Sequence, residues 1–277
     1  MKLAICNETF RDWPFERAFA FARELGYTGI EFAPFTMNAN AYEITREQRA
    51  QARRQAEQAG LEVVGLHWLL AFTEGYYLTS PEAEVRSRTS AYLSELAYLC
   101  RELGGRVMVL GSPQQRNLLP GVSEEQAMEY AAEVLRAVMP TLEECGVVLA
   151  LEPLSPQEGD FLLTARAGVQ LMQMVDSPHC RLHLDVKAMS SEGQPIADIL
   201  RENAAHLEHV HANDANRRGP GMGQIDFLPI LQALRDIDYS GWISVEVFDY
   251  EPGVEALARE SIEYLQRCLN QLEQAAR

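Results

Sequence analysis

The chain has 277 residues, 47% of them hydrophobic, with a formal net charge of -16 and a pI near 4.8. That length suits one large α/β domain or two ordinary ones. The acidity excludes a protein that grips DNA, RNA or an anionic membrane through clustered Lys and Arg, so a small-molecule partner is expected.

The N-terminal MKLAICNETF is too short and too polar after Ile5 for a signal segment and suits a first strand. Further strand patterns follow at residues 28–33, 61–67, 106–111, 147–152, 180–186, 207–212 and 242–248, which with 2–7 makes eight. Helical patterns lie between them at about 14–25, 45–59, 84–103, 123–145, 163–175, 196–204, 227–236 and 253–273. Continuous apolar runs such as VVLAL at 147–151 fit a parallel sheet covered on both faces. Helices end at Gly26, Gly60, Gly104 and Gly146, where a left-handed cap is expected, and Ser123 with Gln126 forms a capping-box signature. No linker or low-complexity tract interrupts the pattern, so a single (β/α)8 barrel spanning 1–277 is predicted. Cys6, Cys100, Cys145, Cys180 and Cys268 are far apart with no CxxC pair, which predicts free thiols in a reducing cytoplasm. No run approaches about 18 apolar residues, so no membrane span is expected.

Four strand patterns end on a metal-ligand type: Glu152 in VVLALEP, Asp185 in CRLHLDV, His211 in EHVHAND and Glu246 in WISVEVF. In a closed barrel the C-terminal strand ends share one mouth, which would gather these four residues. Taken singly, Glu152 has the alternative of turning to solvent, Asp185 of an N-cap or loop aspartate and His211 of a core or loop histidine, whereas Glu246, flanked by valines, is the hardest to explain as surface. The joint pattern points to a site for Mn, Mg, Co or Zn, since carboxylates and imidazole suit such ions. A divalent ion with open positions polarises a carbonyl and stabilises an enediolate as the neighbouring proton leaves. Glu152 and Glu246, from strands distant around the rim, are the natural pair to remove that proton and return it.

Other residues surround this mouth. Glu158 lies six positions past Glu152 and Arg217 six past His211, a carboxylate and a guanidinium suited to hydroxyls or to a loop salt bridge. Glu31, His67 and Trp68 end strands 2 and 3, and Trp13, Phe35, Trp68 and Phe248 are candidates for an apolar wall. His183 and His209 precede ligand positions by two and share their strand face, as barrel-interior residues would. RRGPGMG at 217–223 matches neither GxxxxGK[ST] nor GxGxxG, so a mobile glycine-containing loop and a nonphosphorylated substrate are expected.

These residues resemble the xylose-isomerase-like TIM-barrel superfamily, in its sugar isomerase and epimerase branch, over nearly the whole chain. The branch includes ketose 3-epimerases, hydroxypyruvate isomerase and inosose dehydratase and, more remotely, endonuclease IV. The resemblance implies a Glu–Asp–His–Glu set at Glu152, Asp185, His211 and Glu246 holding one divalent ion, Mn2+ favoured. It implies substrate contacts at Glu158 and Arg217, an acid–base pair at Glu152 and Glu246, and a homodimer. The ketose 3-epimerases carry a histidine three residues after the strand 6 aspartate; here DVKAM places Ala188 there, with Lys187 beside it.

The expected function is a metal-dependent epimerase or isomerase of a small ketose or keto-polyol, with Glu158, Arg217, Lys187, His67 and Trp68 contacting the substrate. The alternative is a metal-dependent dehydratase or β-eliminating lyase on a keto-sugar or inosose. A phosphodiester endonuclease would need more metals and histidines, and a noncatalytic sugar-binding relic would hold metal without turnover.

Overall fold

Eight parallel strands pair in chain order and close, β8 returning to β1, in a computed structural model that describes residues 1–275. They are β1 (Lys2–Cys6), β2 (Gly29–Phe32), β3 (Glu62–Leu66) and β4 (Val107–Leu110), then β5 (Val148–Leu151), β6 (Cys180–Asp185), β7 (Leu207–Ala212) and β8 (Trp242–Val245). The helices outside are α1 (Phe15–Leu25), α2 (Arg46–Ala59), α3 (Ala83–Leu103), α4 (Glu124–Cys145), α5 (Ala165–Val175), α6 (Val186–Met189), α7 (Ile196–Glu202), α8 (Phe227–Asp236) and α9 (Val254–Ala275). The expected (β/α)8 barrel is the fold. No helix among the described residues is long and apolar enough to cross a membrane, and all five cysteines are buried and free.

Local signals explain where the helices begin and stop. Ser123 and Gln126 satisfy each other's backbone N–H groups at the start of α4, and Thr45 with Gln48 does the same for α2. The four predicted glycine caps are all left-handed. Three elements depart from expectation. Helix α6 follows β6 at once because Asp185 accepts from the Ala188 N–H and caps a single turn. Strands β5 and β8 stop one residue before Glu152 and Glu246, which leave the ladder at the rim; Glu152 N still donates to Leu110 O at 3.3 Å and Glu246 N to Ala212 O at 3.2 Å.

Alternation along each strand sorts the side chains between two interiors. On β5 and β6, Leu149, Leu151, Leu182 and Leu184 point to the helices and join the main apolar core. The residues between them point into the barrel. Val107, Val109 and Ala150 form a small apolar layer there, and above it the inward positions turn polar, with His183, Asp185, His209, His211 and Ser244 all buried. The β6–β7 register sets Asp185 against His211 and His183 against His209. The odd-numbered inward positions of two adjacent strands thus carry four donors in two rows.

Candidate active site

The last inward position of each strand from β5 to β8, or the first residue past it, supplies Glu152, Asp185, His211 and Glu246. Ligand atoms of Glu152, Asp185, His211 and His183 lie within 4.8 Å of one another, and all four residues are buried. Glu246 does not belong to that tightest group. Its Oε2 lies 3.1 Å from His211 Nδ1, and it groups separately with Glu8 and His67. The structure therefore gathers three of the four expected ligands at once, adds His183, and sets Glu246 against the imidazole they share.

Each side chain is held from behind. Asp185 Oδ1 accepts from Ala188 N at 2.7 Å and Oδ2 from Asn213 Nδ2 at 2.5 Å, so the aspartate both caps α6 and faces the site. Arg116, fully buried, donates to Leu110 O at 3.1 Å and to the Glu152 carbonyl at 2.7 Å, locking the strand end that bears Glu152. Burial lowers this guanidinium to about 10, still charged at neutral pH. At Gly111 an added Cβ would stand 1.5 Å from Glu152 Oε2, so only glycine leaves room for that carboxylate.

The electrostatics match a site that wants a cation. Burial and then the nearby Glu246 and Asp185 push the Glu152 carboxyl up to about 8. Burial also raises Asp185. Burial opposes ionisation of Glu246 too, but His211 beside it prevails and holds that carboxyl low. Burial and the adjacent His211 and His209 hold His183 well below the usual imidazole range, hence neutral with a free lone pair. Neither ring nitrogen of His183 has a hydrogen-bond partner among the described residues, although both are buried. Crowded carboxylates and an unpartnered neutral imidazole are the donor chemistry of a divalent ion. The residues fit the expected metal.

Above this cluster opens a cavity of about 680 Å³. Glu152 and Glu246 line it, whereas Asp185 and His211 are sealed beneath. Phe35, Trp68 and Phe72 form an aromatic wall, with Phe35 and Phe72 rings 4.8 Å apart and Phe248 packed on Trp68 at 5.8 Å. Glu158 and Arg217 also line the cavity. Glu158 does not pair with Arg217. It takes an ion pair from Lys187 Nζ and hydrogen bonds from the Ser155 hydroxyl at 2.7 Å and backbone N–H at 3.2 Å. Lys187 Nζ also lies 4.5 Å from the centroid of the Phe248 ring.

Three expectations need correction. His67 is fully buried and lies behind the cavity wall; its Nε2 lies 2.8 Å from Glu8 Oε2 and it groups with Glu8 and Glu246, so it acts on the cavity through these carboxylates. Glu31 is likewise interior, 2.8 Å from His209 Nε2 and 3.1 Å from His211 Nε2. Trp13 packs against Phe10, Phe21 and the Arg17 guanidinium rather than the cavity. The glycine loop is held by hydrogen bonds at both ends. Asp214 accepts from Gln224 N and Ile225 N, Asn216 donates to Met222 O, and a Cβ at Gly223 would stand 2.1 Å from Asp214 Oδ1. Its glycines serve close packing, and of its residues Arg217 lines the cavity.

Glu8 and Arg116 escaped the sequence reading. Glu8 lies two residues past the end of β1, with Asn7 between, so a strand-end rule extended by one residue would have found it. Arg116 carried no local signal, because its partners are backbone carbonyls of two strands.

Residues 19–268 match the family model described as Xylose isomerase-like TIM barrel. A probable ketose 3-epimerase of Synechocystis sp. is 25% identical over 91% of this chain and 90% of its own length. A D-psicose 3-epimerase of Ruminiclostridium cellulolyticum is 30% identical over 62% of this chain and 59% of its own. The solved structure of an L-ribulose 3-epimerase superposes with a TM-score of 0.86 at 24% identity, covering 100% of this chain and 97% of that one. The chain belongs to the xylose-isomerase-like TIM-barrel family, and its sequence resembles ketose 3-epimerases.

Proposed function

We propose that this protein is a divalent-metal-dependent epimerase or isomerase that moves the proton next to the carbonyl of a small ketose or keto-polyol. One observation carries the proposal: of the four strand-end residues, only Glu152 and Glu246 face the cavity, while Asp185 and His211 are sealed below them. A substrate in the cavity meets two carboxylates that leave the rim three strands apart, after β5 and β8, and the buried pair serves to hold the ion.

Glu152, Asp185, His211 and Glu246 would hold the metal, Mn2+ favoured, with His183 close enough to join or replace one of them. Bound there, the ion supplies Lewis acidity toward a carbonyl and an adjacent hydroxyl. Glu152 and Glu246 are the acid–base pair: the ionised one removes the proton from the carbon next to the carbonyl on one face, the protonated one returns a proton to the other face, and the reverse reaction exchanges the roles. Glu158, held by Lys187 and Ser155, accepts from substrate hydroxyls, and Arg217 donates to them. Trp68, with Phe35 and Phe248, covers the C–H face of the sugar and excludes water.

The test is turnover of a panel of ketoses by the Mn2+-loaded protein in D2O. Deuterium is expected at the carbon next to the carbonyl in the product, or a primary isotope effect with substrate deuterated there. Absence of both, with an absolute requirement for NAD, would favour hydride chemistry instead.

Elimination from a keto-sugar is the second reading, and Glu8 favours it. This carboxylate lines the cavity on the β1 side, across the barrel from Glu152. It is placed to meet a leaving group on the carbon beyond the one that loses its proton. Loss of water or of an aglycone, seen as a mass change in the product, would select this reading over epimerisation.

A further inference from the structure

A second cavity of about 570 Å³ adjoins the first, and Glu158 and Arg217 line both. The first alone falls within the range of roughly 300–1,000 Å³ typical of small-molecule sites. A single small ketose therefore has no use for the second space. It lies over the start of α6 and is lined by Lys187, Ser190 and Ser191 on one side, Ser155 and Gln157 on another, and Ala215.

The chemistry of that lining selects its occupant. Lys187 is committed to Glu158. The three hydroxyl protons are committed as well: Ser155 donates to Glu158, Ser190 to Lys187 O at 2.6 Å, and Ser191 to Ala188 O at 2.7 Å. The hydroxyls thus offer lone pairs to the groove. Donors come from the Gln157 amide and from Arg217, whose guanidinium has no side-chain hydrogen bond or ion pair among the described residues and lies 6.0 Å from the Phe248 ring. An anion needs converging donors and would meet three oxygen lone pairs beside the Glu158 carboxylate. A neutral group rich in hydroxyls meets both the acceptors and the donors it requires.

Arg217 is the hinge between the two spaces. Its backbone is left-handed at φ 69, and its carbonyl accepts from both Phe248 N at 2.8 Å and Asp249 N at 2.9 Å. That conformation is costly for a residue with a side chain and persists where the surroundings enforce it. Here it projects the guanidinium to the boundary of both cavities.

We propose that the groove is a second sugar subsite and that the substrate is a keto-sugar carrying a glycosyl or similar polyhydroxylated substituent. The keto unit occupies the metal-proximal cavity and the substituent lies along Ser190, Ser191 and Gln157. This rests on the reading above that a keto-sugar fills the first cavity.

The test compares D-fructose, glucosyl-fructoses bearing the second ring on O1, O5 or O6, and D-fructose 6-phosphate, using the Mn2+-loaded protein. At least one glucosyl-fructose should exceed fructose in kcat/KM by about tenfold. Ala215→Trp and Gln157→Trp, which fill the groove from different walls, should erase that advantage and leave turnover of fructose itself unchanged. Preference for the phosphate, no preference for any glucosyl-fructose, or a preference that survives both variants would overturn the subsite while leaving the proposed reaction standing. If no sugar is turned over, the reaction fails and calorimetric binding decides the subsite. Glucosyl-fructose binding tighter than fructose in the wild type and weakened in both variants supports it; equal binding refutes it.

Discussion

On the β5–β8 side of the rim, Glu152, Asp185, His211 and Glu246 leave the barrel at or just past the last inward position of a strand. On the β1–β3 side, the cavity wall comes from loops. Trp68 and Phe72 stand there with positive backbone φ of 52 and 61, and Phe72 is 69% exposed. The first side is fixed by strand register and by hydrogen bonds such as those from Arg116 and Asn213. The second spends about 1–2 kcal/mol of backbone strain per residue to aim aromatic rings. The difference separates the tasks: regular structure places the charges that carry chemistry, and irregular structure shapes what they act on.

The strongest way to break the ordered side is Asp185→Ala, which removes a ligand type, the α6 cap and the Asn213 partner together. Metal content by mass spectrometry and kcat/KM should fall together, by at least about 100-fold. Retained metal with normal turnover would remove Asp185 from the site. Glu246→Gln separates holding from proton transfer. Much of the metal should remain while kcat drops by about 10²–10⁴-fold, the usual worth of a positioned base. Gly111→Ala tests whether placement alone matters, since the new methyl must displace the Glu152 carboxylate. An unchanged circular dichroism spectrum with about 10²-fold lower kcat is expected. The loop side should respond more mildly. Phe72→Ala should change unfolding free energy by no more than about 0.5 kcal/mol, as expected of an exposed position. Its effect should appear as a raised KM with kcat preserved. A large loss of kcat would mean that the aromatic wall takes part in the chemistry.

The same contrast explains what the sequence made legible. Eight strand patterns, four glycine caps and four strand-end ligand types were visible because each follows from a local period or a local turn. Asp185 shows the limit: the sequence posed cap and ligand as alternatives, and the structure makes it a cap while it also joins the cluster of Glu152, His183 and His211. His183 looked like an interior residue and is one, yet its ligand atom lies within 4.8 Å of those of Glu152 and Asp185. His67 was expected in the cavity, but its strand carries it inward and Glu8 stands in front of it. Lys187 was expected to contact the substrate, and in the structure it pairs with Glu158, which the loop after β5 supplies. Such outcomes depend on contacts between segments far apart in the chain, which no local pattern encodes.

Gly111 has a consequence for how this barrel can change over generations. Its missing side chain is the space that Glu152 fills, so the two positions are not free to vary independently. A larger residue at 111 is tolerable only after position 152 has shortened or turned away, and by then its role in the site is gone. A lineage that abandons the chemistry can cross that step in one direction easily. Return requires both changes, with no benefit from the first alone, so paired substitution at 111 and 152 marks descendants of this barrel that kept the fold and lost the reaction.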